Sequence, residues 1–108
     1  MSLIHWIEEE ADGEPIEAVV IGEMGWGTFH SEHVPDYDIQ PKGVVLSWDE
    51  AKLWLDYDFN SGFGAPDCNA IFAWTPSRVM AISQYDGATG IFSIPRNPVP
   101  CKPFMPGG

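Results

Sequence analysis

The stretch of residues 46–74 constrains the fold most, because it predicts where one helix begins and ends and where a strand follows. It contains Ser47-Trp48-Asp49-Glu50, in which a serine precedes a glutamate by three positions. The serine hydroxyl can accept a hydrogen bond from the glutamate N–H, and the glutamate carboxylate can accept one from the serine N–H. This capping box predicts a helix that begins at Ser47 and buries a face containing Trp48 and Leu55.

A loop over residues 58–67 ends this helix, because its two glycines and Pro66 interrupt the helical pattern. A strand is predicted from about Ala70. Asp56 and Asp58 fall where the negative end of the helix dipole lies, a mildly unfavourable place for carboxylates. We therefore expect these two acids to serve something other than the stability of this helix.

Apolar runs bounded by turn signals predict the remaining strands. Residues 16–24 have a β-branched centre and predict a central strand whose middle is buried on both faces. Residues 70–75, 79–85 and 89–94 are separated by turn sequences and predict an antiparallel meander. Residues 3–7 are too few for periodicity to separate helix from strand, and we expect a strand.

Together these elements predict an α+β fold, with an antiparallel sheet of about four to five strands and one principal helix packed on one face. A chain of 108 residues, 44% of them hydrophobic, provides one core, so residues 1–94 are predicted to form a single domain. Residues 95–108 contain five of the ten prolines and predict an extended tail. Residues 25–42 lack any period and predict a long surface loop.

Sixteen acidic residues against five basic ones give a formal charge of −11. This charge repels nucleic-acid phosphates and anionic membranes, so direct binding to either is not expected and a basic protein surface is the favoured partner. The apolar N-terminal run has no positive flank and is followed by acids, which predicts neither a secretion signal nor a membrane span. We therefore expect a cytoplasmic protein in which Cys68 and Cys101 are reduced thiols, although their spacing alone also allows a disulfide.

Two segments contain residue types that bind metal ions, but neither has the full spacing and backbone arrangement of a known metal site. The first supplies imidazoles and carboxylates, as zinc requires, without a helical frame or paired cysteines. Its candidate ligands are His30, His33, Asp36 and Asp38. The second, residues 56–67, partly matches a calcium-binding loop, but Ser61 stands where that loop needs glycine and a strand is predicted to follow. We therefore expect no metal and no other cofactor.

No serine, cysteine or histidine lies in a recognisable motif for nucleophilic catalysis. Cys68 follows Asp67, whose negative charge disfavours a thiolate. The sequence therefore assigns no catalytic residue, and an enzyme is the third hypothesis after two kinds of binding protein.

Five short motifs occur in order along the C-terminal half of the chain. They are Tyr57-Asp58-Phe59, Gly62-Phe63-Gly64, Ala73-Trp74-Thr75, Tyr85-Asp86-Gly87 and Pro95-Arg96-Asn97-Pro98. Their order resembles a pattern in small uncharacterised bacterial and phage proteins. The resemblance implies a bacterial or phage setting, and it implies no activity and no functional residue.

The first functional hypothesis is an acidic interaction protein that docks on a basic partner surface, as an inhibitor or nucleic-acid mimic. Its predicted contact residues are Trp54, Asp56, Asp58, Phe63 and Asp67. The alternative is a small-ligand binder that uses aromatic side chains and the glycine-rich loop. An interaction protein should show a contiguous acidic face with exposed aromatics, whereas a ligand binder should show a concave, largely apolar pocket. The oligomeric state is left open by the sequence.

Overall fold

The computed structural model describes residues 2–24, 33–59, 67–85 and 88–106. In this part of the chain a five-stranded antiparallel sheet carries two helices, which confirms the α+β prediction. In chain order the elements are α1 (Leu3–Ala11), β1 (Ala18–Met24), a short 3₁₀ helix (Tyr37–Ile39), β2 (Val45–Leu46), α2 (Trp48–Leu55), β3 (Asn69–Trp74), β4 (Arg78–Tyr85) and β5 (Ala88–Pro95).

The strands lie in the order β2-β1-β3-β4-β5, and every neighbouring pair is antiparallel. The meander predicted for the last three strands is therefore confirmed. Strand β1 lies inside the sheet between β2 and β3, as predicted for a central strand. One register runs across four strands, pairing Val20 with Phe72, Phe72 with Ala81 and Ala81 with Phe92.

Residues 3–7 lie in helix α1, so the prediction of a strand there is wrong. The Ser2 hydroxyl accepts from the His5 N–H at 3.2 Å and caps the helix. Leu3, Ile7 and Ala11 recur every four residues and are all buried. This helical period appears only when the acidic residues after Ile7 are included, because one turn of helix is too short to display it.

Helix α2 begins as the capping box predicts. The Ser47 Oγ accepts from the Glu50 N–H at 3.2 Å, and the Glu50 Oε1 accepts from the Ser47 N–H at 3.0 Å. These hydrogen bonds lower the pKa of the Glu50 carboxyl. Ala51 and Leu55 are buried against the sheet, and Trp48 is half-buried beside them.

The chain after α2 runs beside the start of α1. The Leu3 N–H donates to the Tyr57 carbonyl at 3.0 Å, and Ser2 forms an antiparallel bridge with Asp58. Asp58 therefore lies beside the N-terminus of α1, where the helix dipole is positive and a carboxylate is favourable. Asp58, which is unfavourable for the helix it follows, thus lies beside the N-terminus of another helix, where its charge is favourable.

Both helices pack against one face of the sheet. The strand residues that point toward them form the core: Val19, Ile21, Leu46, Ile71, Ala73 and Met80, all buried. The alternate strand residues point to the other side. We call these residues the open face: Ala18, Val20, Gly22, Val45, Ala70, Phe72, Trp74, Val79, Ala81, Ser83, Ala88, Gly90, Phe92 and Ile94. None of them is charged, and serine is the only polar residue type among them.

After β5 the described tail contains neither helix nor strand and is exposed along its length. The Phe104 ring packs edge-on against the Phe92 ring of the open face, with the ring centroids 6.3 Å apart. Within the described ranges, no helix is long and apolar enough to cross a membrane.

Removing the α2 cap tests this account of the helix start. Ser47→Ala should lower the free energy of unfolding by about 1 kcal/mol, because the Glu50 N–H loses its side-chain acceptor. In a chain of this size the melting temperature should fall by roughly 4 °C. Ser47→Thr keeps the hydroxyl and is the matched control. Equal melting temperatures for the wild type and Ser47→Ala would contradict the role of the cap.

Candidate functional site

Asn69, the first residue of β3, is fully buried and centres a hydrogen-bonded cluster at one end of the sheet. Its Nδ2 donates to the Gly22 carbonyl of β1 and to the Gln40 Oε1, both at 2.9 Å. Its Oδ1 accepts from the Tyr57 hydroxyl at 2.8 Å and from the Gln40 Nε2 at 3.3 Å. The Tyr57 hydroxyl also accepts from the Asn69 N–H at 2.9 Å. The cluster therefore ties the segment before β2 and the segment after α2 to the sheet.

The hydrogen bonds of this cluster are mutually satisfied. Within the described ranges, no buried side-chain nitrogen or oxygen lacks a hydrogen-bond partner. A buried polar cluster with every group paired specifies one arrangement, because any other would leave a desolvated donor or acceptor unpaired. The role of the cluster is therefore structural, because it fixes the positions of the segments that contribute to it.

The titratable groups beside Asn69 are unsuited to nucleophilic chemistry. Burial raises the pKa of the Tyr57 hydroxyl well above its ordinary value. Burial, with a smaller contribution from the Asp67 charge, raises the pKa of the Cys68 thiol to about 12. Both groups are therefore protonated at neutral pH, and a protonated thiol is a poor nucleophile. Cys68 is buried and Cys101 exposed, and neither forms a disulfide.

Of the predicted zinc ligands, His33 lies beside Asp67, which belongs to the second candidate segment. The His33 Nε2 lies 2.6 Å from the Asp67 carbonyl oxygen and 3.6 Å from the Asp67 Oδ2. Asp36 precedes the short 3₁₀ helix and Asp38 lies within it, and both side chains are exposed. His30 lies outside the described residues. Among the residues that the structure describes, no three histidine, cysteine or acidic side chains are placed to hold a metal ion.

The predicted contact residues are divided between surface and core. Trp54 is half-buried and packs against the core, and its carbonyl accepts from the Gln40 Nε2 at 3.5 Å. Asp56 and Asp58 are exposed at the end of α2. Asp67 is half-buried beside His33, and Phe63 lies outside the described residues.

The exposed apolar residue of α2 is Leu53, with 74% of its surface accessible. Sequence reasoning missed it, although a signal was present: at about 100° per residue, Leu53 lies opposite the inward-facing Ala51 and Leu55. Asp49 precedes Leu53 by four residues and Asp56 follows it by three, so all three lie on one side of the helix. The outer side of α2 thus presents an apolar side chain between two exposed carboxylates.

Most of the acidic residues lie on the helical side of the molecule. We call the acids of residues 2–14 and 47–58 the acidic layer: Glu8, Glu9, Glu10, Asp12, Glu14, Asp49, Glu50, Asp56 and Asp58. These nine of the sixteen acids share their two segments with a single lysine, Lys52, and no arginine. The helical side therefore carries a concentrated negative charge.

A polar groove of about 580 Å³ lies between the end of α1 and the β3–β4 turn. The Glu14 carboxylate accepts from the Thr75 hydroxyl at 2.6 Å and from the Ser77 hydroxyl at 2.8 Å, which lowers the pKa of Glu14. The Arg78 guanidinium donates to the Ser93 hydroxyl at 3.0 Å. The Glu14 contacts join the loop after α1 to the β3–β4 turn, and the Arg78 contact joins β4 to β5, so the groove is part of the scaffold.

A second groove, of about 350 Å³, lies on the open face. Its floor includes Gly22 and Ala70, whose minimal side chains leave the sheet backbone uncovered. Phe72 rises beside it with 56% of its surface accessible. Glu23 and Lys42 line the groove at its edge. The lining is otherwise apolar, and the volume is near the lower limit of ligand pockets.

Comparisons with protein-family models, curated proteins and solved structures find no match. The likeness to small bacterial and phage proteins therefore stays a prediction.

Replacing Asn69 tests the structural role of the buried cluster. Asn69→Ala should lower the free energy of unfolding by about 3 kcal/mol, because buried groups of Gln40, Tyr57 and Gly22 would lose partners. Urea denaturation measures the change, and Asn97→Ala in the exposed tail is the matched control. A loss no larger than that of the control would contradict the role of the cluster.

The incomplete ligand sets predict that folding is independent of metal ions. Melting curves with a chelator, added calcium or added zinc should superimpose, because specific binding to the folded state would raise the melting temperature. A rise of several degrees with either ion would contradict this prediction. His33→Ala and Asp58→Asn would then assign the rise to the first or the second candidate segment.

Proposed function

We propose that this chain is a non-enzymatic interaction protein that docks its acidic layer on a basic protein surface, in the cytoplasm of a bacterium or in a phage-infected cell. The observation that carries the proposal is the sorting of charge: nine acids accompany the two helices, while the open face has no charged residue. A one-sided negative field attracts a basic partner and orients it toward the helical side.

The outer side of α2 is the proposed centre of contact. Asp49 and Asp56 are exposed on either side of Leu53 along one side of the helix. Exposed carboxylates accelerate and orient encounter, whereas a desolvated apolar residue between them contributes most to the lifetime of the complex. Asp58 is exposed just beyond the end of α2, and Trp54 packs against the core from the same helix.

The class of partner follows from the chemistry of this surface. Carboxylates alternating with an apolar side chain complement a lysine- or arginine-rich surface that also exposes apolar area. Surfaces that receive nucleic acid or phosphate have this positive charge. Occupation of such a surface by the acidic layer would make the protein an inhibitor.

Variants that replace acidic residues with neutral ones test the location of the contact. The partner is first captured from a bacterial extract at low salt and identified, and its association is then measured. Asp49→Asn together with Asp56→Asn should slow association about tenfold and reduce its dependence on salt, because both steering charges are lost. Leu53→Ala should mainly accelerate dissociation.

Asp36→Asn together with Asp38→Asn is the matched control, because it removes the same charge from exposed positions outside α2. Asparagine also tolerates the left-handed conformation that Asp36 adopts, with φ at 51°. Association should be nearly unchanged in this control. Equal slowing by both pairs would show a general charge effect, and binding that is insensitive to salt and to all these variants would contradict the proposal.

The apolar groove on the open face favours a second candidate function, the binding of a small apolar ligand. The groove offers about 350 Å³ between Gly22, Ala70 and Phe72. In this alternative an apolar dye should bind the monomer, and Ala70→Ile should prevent binding by filling the floor of the groove. Absence of dye binding to the wild type would remove this candidate.

A further inference from the structure

We propose that a second copy of this chain covers the open face. The two sheets would pack face to face, with both acidic layers on the outside of the dimer. This inference goes beyond the proposed docking of the acidic layer, because it concerns the opposite side of the molecule.

The distribution of charge selects a second copy as the occupant. None of the fourteen residues that form the open face is charged, and the charged Glu23 and Lys42 lie at the edge of its groove. A basic partner would require acids there, whereas an identical neutral face requires none. In the face-to-face arrangement the two acidic layers are more than about 20 Å apart, beyond the screening length of about 8 Å at physiological salt. Their mutual repulsion therefore does not oppose association.

The shape of the open face also fits a two-fold interface. Such an interface is self-complementary, so each protrusion must face a depression on the same surface of the other copy. Phe72 protrudes from β3, and the groove floored by Gly22 and Ala70 lies beside it. A two-fold axis that lies in the interface, above the midpoint between Phe72 and the groove, would place the Phe72 ring of each copy in the groove of the other.

The area of the open face is sufficient for a specific dimer. Fourteen outward positions, at about 4.8 Å between strands and roughly 6.7 Å along them, make roughly 450 Å² of flat sheet. The relief of the side chains raises the accessible area, so two copies would bury roughly 1,200 Å² together, the lower limit of specific interfaces. A contiguous apolar surface of this size is also typical of association sites.

Sedimentation equilibrium of the full chain tests the dimer. From micromolar to millimolar concentration the mass should approach twice the 12.0 kDa of one chain. High salt should leave the dimer intact or strengthen it, because the interface buries mainly apolar area and the charged Glu23 and Lys42 lie at the edge of the groove. Salt should weaken docking of the acidic layer, so failure of one interaction is distinguishable from failure of the other.

Three variants locate the interface. Phe72→Lys places a charge in its centre and should weaken the dimer at least a hundredfold. Ala70→Ile adds apolar surface but fills the groove, so it should weaken the dimer at least tenfold. Non-specific hydrophobic association would not be weakened by this change. Leu53→Lys makes the same kind of change as Phe72→Lys on the helical side and should leave the dimer unchanged. Circular dichroism establishes that each variant is folded, and Ile94→Lys replaces Phe72→Lys if that variant does not fold.

Three results would overturn the proposal: a wild type that is monomeric throughout the concentration range, a dimer that persists with Phe72→Lys and Ala70→Ile, or a dimer that is lost with Leu53→Lys. A monomer that binds an apolar dye in the groove would likewise overturn it in favour of a small ligand.

Discussion

Two helices of nine and eight residues cannot cover both faces of a five-stranded sheet. At about 1.5 Å per residue, each helix spans less than about 14 Å, and both lie on the same side. The other side must therefore either be polar enough for water or be covered by something else. This chain places alanine, valine, phenylalanine, tryptophan and isoleucine there and carries nine of its sixteen acids on the helical side, which gives the molecule two chemically different surfaces. The proposed docking uses the first surface, and the proposed dimer uses the second.

The buried amide of Asn69 makes this one-sided arrangement specific. Its partners come from β1, from the segment that follows the short 3₁₀ helix and from the segment that follows α2. The hydrophobic effect alone would hold these segments near the sheet without fixing their positions, because it is not directional. Hydrogen bonds to one buried side chain fix them, and in doing so they place α2 and its exposed acids relative to α1.

The parts of the fold that the sequence predicts are those determined by neighbours in the chain. The cap at Ser47 and the Pro76-Ser77 turn act over a few residues, so α2 and the meander could be predicted from them. The contacts of Asn69 with Gly22 and Gln40 span 47 and 29 residues, and no local pattern reveals them. The apolar centre of β1 indicates burial on both faces, whereas one chain buries only the helical side. A second copy would bury the other side, as the sequence pattern indicates.

In the proposed dimer the open face is buried between two copies, while the helical side stays exposed. Hydroxyl-radical footprinting tests it by measuring the reactivity of individual side chains as the protein concentration is raised. Phe72 and Trp74 should become protected as the dimer forms, while Leu53 should stay as reactive as in the dilute protein. Unchanged reactivity of Phe72 across the whole range, or equal protection of Leu53, would contradict it.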